Sequence, residues 1–201
     1  MEQRQYAFGV EKYSLLDNLI FSLRKRQVVK RIPKGAAVVA DFGSGYDARL
    51  LVSLLGTGIA KEGIAVDTEF KPTLSSVLNL SLSTADLNGP IPLPDASVDA
   101  ALSLAVLEHL DKPEVFLSEL YRIVRPGGVV LLTTPGPTSK PLLEFLAFRL
   151  GIIDKHEIAD HKQYFSSTML HDAFVAAGFT RENVSPKRFL FGMNNIVMAV
   201  R

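Results

Sequence analysis

Two glycines and a set of aspartates in this chain have the types and spacing to bind a small charged ligand. In the stretch VVADFGSGYDA (38–48), Gly43 and Gly45 follow an apolar run one residue apart. Glycine permits a tight turn and a close approach of the backbone to a ligand. Such a turn can hold a phosphate, a dinucleotide or a cationic sulfonium. The letters GSGYDA also match the dinucleotide fingerprint, with Asp67 about twenty residues further on.

The surrounding charge discriminates between these ligands. Asp41 precedes Gly43 by two residues, and Asp47 follows the second glycine. A phosphate about 4 Å from a carboxylate costs roughly 4 kcal/mol at an effective dielectric near 20, which disfavours a nicotinamide-dependent dehydrogenase. A ligand that carries an ammonium and a sulfonium is attracted instead. With Asp67 and Asp86 at later strand ends and no Lys or Arg among the set, we expect a cationic nucleoside, S-adenosylmethionine.

These side chains need a scaffold that brings them together, and the sequence predicts alternating strands and helices. In an open α/β sheet, ligands bind beyond the carboxyl ends of the strands. The apolar pattern predicts strands at 36–42, 63–67, 80–87, 97–105 and 127–135, and helices at about 10–31, 47–55, from about 72, 112–124, 138–150 and 166–177. The tail from 182 predicts two antiparallel strands, because their connection is short. We therefore expect a three-layer, Rossmann-like α/β fold, with a mainly parallel seven-stranded sheet and an antiparallel C-terminal strand.

Composition narrows the class of protein further. The chain has 201 residues, which predicts a single domain over 1–201 with an N-terminal helical extension at about 10–31. A net charge of +1 gives no general attraction to nucleic acid, and the lack of cysteine excludes disulfides and thiolate metal sites. We find no signal-peptide core and no apolar stretch of spanning length, so we expect a cytoplasmic protein. The basic run at 24–31 leaves a peripheral membrane contact open.

Several of these motifs together resemble a known family, the class I S-adenosylmethionine-dependent methyltransferases. The resemblance runs from about 36 to 135 and is greatest to the small single-domain, type 11-like members. VVADFGSGYDARLL is similar to the first motif of the family, and GIAVD to the second strand with its ribose-binding acid. The run from ADLNG (85–89) to TTP (133–135), with its RPGG turn, is similar to the segment from the adenine contact to the fifth strand.

The resemblance implies a role for each residue at the strand ends. Asp41 would hold the methionine ammonium, Asp67 the ribose hydroxyls and Asp86 the adenine amino group. The backbone of Gly43 and Gly45 would approach the methionine moiety, and the remaining implied cofactor contacts are Leu87 and Leu104.

Tyr46 and Asp47 lie next to the glycines and have different predicted roles. Tyr46 stands where many relatives have a third glycine, so its side chain would narrow the cofactor mouth or reach towards the substrate. Asp47 is predicted to be a helix N-cap rather than a ligand contact.

The sequence defines the acceptor side of the site less well than the cofactor side, and it does not identify the catalytic residues. Glu108 and His109 are similar to a pair that lies beside the substrate in polyprenyl-quinone O-methyltransferases and helps to hold a metal. Ala105 stands where a further carboxylate would be expected, so we predict no metal. His109 is a candidate base, and His161 and Tyr164 are candidates to line the acceptor pocket.

The sequence therefore predicts a methyltransferase that converts S-adenosylmethionine to S-adenosylhomocysteine and methylates a small-molecule acceptor, such as a lipid, quinone or glycan precursor. We expect no nucleic-acid substrate, because the chain has neither an NPPY-like motif nor a basic appended domain. The alternative is a catalytically silent module that keeps the fold for binding or assembly. The oligomeric state is left open.

Overall fold

The computed structural model describes residues 15–141 and 159–201 of the chain. Its helices are α1 (Leu15–Val29), α2 (Arg49–Gly56), α3 (Pro113–Ile123) and α4 (Ser167–Ala176). Its strands are β1 (Val38–Phe42), β2 (Glu62–Asp67), β3 (Leu80–Thr84), β4 (Val98–Leu104), β5 (Val124–Pro135), β6 (Val184–Phe189) and β7 (Asn194–Val200).

The strands form one seven-stranded sheet in the order β3-β2-β1-β4-β5-β7-β6. The pairs from β3 to β5 are parallel, whereas β7 is antiparallel to both β5 and β6. The predicted fold class is confirmed. Strand order reverses beside β1, since β2 pairs with one edge of that strand and β4 with the other. An open α/β sheet binds ligands at such a switch point.

Helices cover both faces of the sheet because alternate strand residues point to opposite sides. Val39 packs with α1 and α2, whereas its neighbour Ala40 packs with α3 and α4. Each face has an apolar core, and the central strands are apolar on both sides, as expected of a buried parallel sheet. α1 is also fixed by polar contacts: the Lys25 ammonium donates to the Ser53 hydroxyl at 2.5 Å.

Three local predictions were wrong. The helix expected from about 72 is a single 3-10 turn, Pro72–Ser76, because the hydroxyls of its two serines hydrogen-bond back to local carbonyls. α2 begins after Ala48, which has a φ of 44° and no side-chain cap, so Asp47 is not the N-cap. β5 begins at Val124, directly after α3, because this residue pairs with Val98 before a register shift in the ladder.

Two predictions on helices concern residues that the structure covers only in part. Most of the helix predicted at 138–150, and the first residues of the one at 10–31, lie outside the described residues. Within the part of the chain that is described, no helix is long and apolar enough to cross a membrane.

Candidate cofactor and acceptor site

The carboxyl ends of four neighbouring strands meet at one edge of the sheet. In the parallel register, Asp41 of β1 lies level with Ala65 of β2 and Leu102 of β4, and Asp67 lies level with Thr84 of β3. The fold thus brings the side chains predicted at 41, 67, 86 and 104 to one edge.

The turn after β1 is fixed to the end of β2 by backbone hydrogen bonds. The amides of Gly43 and Ser44 donate to the Val66 carbonyl at 2.8 and 3.3 Å. Both glycines have positive φ, 71° at Gly43 and 77° at Gly45, which side chains rarely adopt. A Cβ on Gly43 would clash with the Val106 side chain, whereas one on Gly45 would have nothing within 4 Å. Gly43 therefore serves packing, and the space above Gly45 is open to a ligand.

Asp67 is oriented by the same turn. Its Oδ2 accepts a hydrogen bond from the Gly45 amide at 2.8 Å, and its Oδ1 accepts one from the Thr68 amide at 2.7 Å. The residue is 8% exposed. Each carboxylate oxygen can accept more than one hydrogen bond, so both can also accept from a pair of ligand hydroxyls.

Asp41 is the more deeply buried of the two acids, at 3% exposed. Burial, and then the negative charge of Asp67, raise the pKa of Asp41 from 3.8 to about 8. The carboxyl is therefore largely protonated at neutral pH unless a cation comes to lie beside it.

The residues predicted to contact adenine lie on the loop after β3. Asp86 is exposed, and its Oδ1 accepts from the backbone amide and the side-chain amide of Asn88, at 2.9 and 3.0 Å. These bonds from Asn88 lower the pKa of Asp86 and form an Asx turn. Leu87 buries its side chain in the core. Leu104 is partly buried at the end of β4, before Ala105 with a φ of 59°.

Tyr46 lies within the glycine turn, partly buried, and its carbonyl accepts from the Lys71 amide at 2.8 Å. This bond connects the turn to the segment that follows β2. The predicted contact of the Tyr46 side chain with cofactor or substrate stays a prediction.

A second polar cluster lies on the 3-10 turn that follows β4, Leu107–His109. Glu108 is 1% exposed and burial raises the pKa of its carboxyl. The rings of His109 and His161 are in edge contact, with centroids 4.8 Å apart. The Nδ1 atom of His161 lies 3.1 Å from the Tyr164 hydroxyl oxygen. All three candidate acceptor-side residues are thus brought together.

Backbone contacts hold this cluster beside the glycine turn. The amides of Lys162 and Gln163 donate to the Glu108 carbonyl at 2.8 and 3.4 Å, and this joins the 161–164 segment to the 3-10 turn. Val106, the residue before that turn, packs against Gly43. The polar cluster and the cofactor turn are therefore neighbours.

Arg24 was not predicted from sequence to take part in this cluster, and Glu108 was predicted only as the neighbour of His109 in a pair beside the substrate. Arg24 comes from α1, in the basic run at 24–31, yet its Nε atom is buried and has no hydrogen-bond partner in the part of the chain that the structure describes. The charge of Arg24 acts on both Glu108 and His161. An acid directly after an apolar run, in LSLAVLEHL, was the available signal for a buried Glu108.

Comparisons with known proteins bear on the fold and the cofactor. Residues 40–132 match the family model described as "Methyltransferase domain". A probable S-adenosylmethionine-dependent methyltransferase of Mycolicibacterium smegmatis is 36% identical over 100 residues, which are 48% of this chain and 36% of that protein. An S-adenosylmethionine-dependent methyltransferase from Archaeoglobus fulgidus has the same fold, with a TM-score of 0.67 at 17% identity, covering 91% of this chain and 94% of the other.

Relatives named for an acceptor differ in what they methylate. A malonyl-[acyl-carrier protein] O-methyltransferase of Marinomonas sp. is 26% identical, with 76% of this chain and 66% of that protein covered. The tRNA N(3)-cytidine methyltransferase METTL2 of Danio rerio is 30% identical, with 52% of this chain and 31% of that protein covered.

The parallel sheet with its glycine turn agrees with the matched domain and with these relatives. Residues 40–132 are a methyltransferase domain similar to those of S-adenosylmethionine-dependent methyltransferases, and this domain and fold imply S-adenosylmethionine as the cofactor. The open space at Gly45, next to two acids and without a basic side chain at 41–47, fits a ligand with an ammonium and a sulfonium.

Proposed function

We propose that this protein transfers a methyl group from S-adenosylmethionine to a small-molecule acceptor. In this proposal Asp41 holds the ammonium of the cofactor, Asp67 binds its ribose hydroxyls, and the loop at Asp86 and Leu87 receives the adenine. The Gly43–Gly45 turn and Leu104 border the methionine moiety and the ring.

The buried acid at the end of β1 is the observation that carries the proposal. A buried carboxylate is costly unless it is paired or protonated, and the charge of Asp67 adds to that cost for Asp41. A ligand ammonium relieves it by supplying a positive charge. A catalytically silent module has no need of Asp41 for its fold, because an apolar residue or an asparagine would be less costly at this buried position.

The neighbouring polar cluster provides a place for the acceptor. When bound, S-adenosylmethionine supplies an electrophilic methyl group, so the residues of this chain need mainly to align the acceptor. Such alignment contributes roughly 7–11 kcal/mol in well-oriented reactions. His109, His161 and Tyr164 offer hydrogen-bonding groups beside the cofactor turn. Burial lowers the pKa of His161 to about 4, so its ring is neutral at pH 7 and can orient an acceptor hydroxyl without repelling the sulfonium.

A small acceptor is favoured over a nucleic acid by the charge of the chain. Nucleic-acid binding relies on Lys and Arg at the phosphate backbone. The net charge is +1, and Lys25 and Arg31 of the basic run donate to neighbouring side chains. We also propose that residues 1–201 form a single domain.

Isothermal titration with S-adenosylmethionine, S-adenosylhomocysteine and NAD tests the cofactor site. We expect binding of both adenosyl ligands at micromolar concentrations and none of NAD. Asp67→Ala should abolish this binding, whereas Asp172→Ala is the matched control, because Asp172 is a 60% exposed acid on α4. Failure of a folded protein to bind either adenosyl ligand would contradict the proposed site.

Incubation with methyl-labelled S-adenosylmethionine then tests the acceptor. Small-molecule, lipid and total tRNA fractions are supplied separately, and label is followed in each. We expect label in a small-molecule or lipid fraction, lost in Asp67→Ala. Label in tRNA alone would replace the small-molecule acceptor with a nucleic acid, and binding without transfer to any fraction would favour the silent module.

A further inference from the structure

Three potential ligands of a metal ion converge in the acceptor-side cluster. Glu108, His109 and His161 each offer one ligand atom, and these atoms lie within 4.8 Å of one another. Glu108 and His109 lie on the turn after β4, whereas His161 comes from the segment before α4. From sequence alone we expected no metal, because Ala105 stands where a further carboxylate ligand would be expected.

The Glu108 carboxylate has the burial and the orientation of a ligand. The residue is 1% exposed, and within residues 15–141 and 159–201 its Oε2 atom has no hydrogen-bond partner of good geometry, while a weaker contact with Thr134 only partly offsets the effect of burial on the pKa of the carboxyl. Buried oxygens of this kind normally have a partner, and each exception calls for a physical explanation. Packing alone does not provide one, because an unpaired buried acceptor costs about 1–3 kcal/mol.

The surroundings of the His109 and His161 rings also favour a metal site. The Tyr164 hydroxyl lies 3.1 Å from Nδ1 of His161, and Oδ2 of Asp160 lies 3.4 Å from Nδ1 of His109. Metal-binding histidines commonly direct the second ring nitrogen at such an oxygen, which fixes the tautomer and the ring orientation. The Tyr164 contact engages Nδ1 of His161, so Nε2 is the expected ligand atom of that ring, whereas Nδ1 of His109 is buried near Asp160 without a hydrogen bond among the described residues.

Charge around the cluster is compatible with a dication. Two carboxylates, Glu108 and Asp160, face it, and Arg24 contributes one positive charge from α1. The negative charge of Asp160 therefore offsets the repulsion that Arg24 would exert on a cation, and the Glu108 carboxylate is left to act as a ligand. A tetrahedral zinc site needs ligand atoms about 3.3 Å apart, so the ligand atoms, now within 4.8 Å of one another, would move together by up to about 1.5 Å when an ion binds.

We propose that Glu108, His109 and His161 form a binding site for a divalent first-row transition metal, with a position left open for a further ligand. Two histidines and one glutamate are a ligand set of catalytic zinc sites, in which the open position takes water or substrate. Located beside the cofactor turn, such an ion would polarise an oxygen of the acceptor. Metal binding is measurable without cofactor or acceptor, so it stands or falls separately from the proposed function.

Titration of untagged, chelator-treated protein with Zn²⁺ and Co²⁺ tests this site. Calorimetry should give one Zn²⁺ per chain, and Co²⁺ should give the visible absorption of a low-coordinate site with nitrogen ligands. His161→Gln and Glu108→Gln should each weaken zinc binding at least about 100-fold. Tyr164→Phe should weaken it about 10-fold, as expected for a group that orients a ligand.

Matched variants separate this site from accidental binding and from misfolding. His171→Gln is the histidine control, because His171 on α4 contacts Asp172 and the Arg181 carbonyl instead of the cluster. It should leave zinc binding unchanged. Glu108→Gln keeps the shape of the side chain and removes a buried charge, so it should fold and still bind S-adenosylmethionine. Zinc binding that is absent, or that is unchanged in His161→Gln and Glu108→Gln, would overturn the proposal.

Discussion

Asp41 and Asp67 end neighbouring parallel strands, and burial of Asp41, reinforced by the negative charge of Asp67, raises the pKa of the Asp41 carboxyl to about 8. The two acids differ in their immediate surroundings. Asp67 accepts backbone hydrogen bonds from Gly45 and Thr68, which favour its ionised form. The site therefore combines an oriented carboxylate with a buried carboxyl that becomes ionised when a cation binds beside it.

Binding of S-adenosylmethionine should release a proton from Asp41. At about pH 6.5 the free carboxyl is protonated, and the ligand ammonium favours the ionised form, so we expect release of about one proton per ligand. Calorimetry in buffers of different ionisation enthalpy measures that number. It should fall towards zero well above pH 8 and should vanish in Asp41→Asn. Equal proton release in the wild type and in Asp41→Asn would contradict the role given to this residue.

Asp41→Asn should stabilise the ligand-free protein, increasingly so as pH rises. The pKa of Asp41 is raised in the folded state, so the folded protein binds more protons than the unfolded chain between about pH 4 and 8. The contribution of this carboxyl to stability is therefore complete below about pH 4 and is lost as pH rises through about 8.

Thermal unfolding of both proteins from about pH 5 to 9 measures this trend. The increase in melting temperature caused by Asp41→Asn should become larger as pH rises. The melting temperature of Asp172→Asn, which changes an exposed acid, should stay close to that of the wild type. A constant difference over the whole range would show that Asp41 ionises as an ordinary exposed acid.

Alanine substitutions at Gly43 and Gly45 should reduce the stability of the protein by different amounts. Both have positive φ, which costs a side chain roughly 1–2 kcal/mol. Only the Cβ at Gly43 clashes, with Val106, so Gly43→Ala should reduce the free energy of unfolding more than Gly45→Ala. Urea denaturation measures this order. Val106→Ala combined with Gly43→Ala should recover part of the loss.

The affinity for S-adenosylmethionine should be reduced more by Gly45→Ala than by Gly43→Ala, which is the reverse of the order expected for stability. A methyl group at Gly45 enters the space proposed for the cofactor, so Gly45→Ala should lower the affinity for S-adenosylmethionine by at least about tenfold, or about 1.4 kcal/mol. Unchanged affinity in Gly45→Ala would place the cofactor elsewhere.

We expect Asp86 to serve cofactor binding and Asn88 to serve the stability of the fold. Asn88 donates to Asp86, and its own Oδ1 accepts from the amides of Asp111 and Lys112 at the start of α3. Asn88→Ala should therefore lower the melting temperature more than Asp86→Ala. Asp86→Ala should lower the affinity for S-adenosylmethionine more, if Asp86 accepts from adenine as proposed. Equal loss of affinity in both variants would mean that Asp86 acts only through the Asx turn.

Much of the fold was predictable because its signals are local. Continuous apolar runs predicted the buried parallel strands, and a Pro at the first turn marked the start of α3. Errors occurred where short-range hydrogen bonds outweighed the pattern. The serines of Pro72–Ser76 convert an expected helix into a 3-10 turn, and the local turn in which the Ala48 amide donates to the Gly45 carbonyl moves the start of α2 past Asp47.

The positions of the acids and glycines at the cofactor edge could be assigned from the sequence alone. Parallel strands with known ends must bring Asp41, Asp67 and Asp86 to one side of the sheet, and the resemblance to the methyltransferases follows the same stretch. The acceptor side was decided only by tertiary structure. His161 meets His109 because the Glu108 carbonyl accepts from the amides of Lys162 and Gln163, a contact between segments about fifty residues apart that no local periodicity records. Burial of Glu108, and the pKa it raises, likewise depends on what packs around it, and that is a property of the folded chain alone.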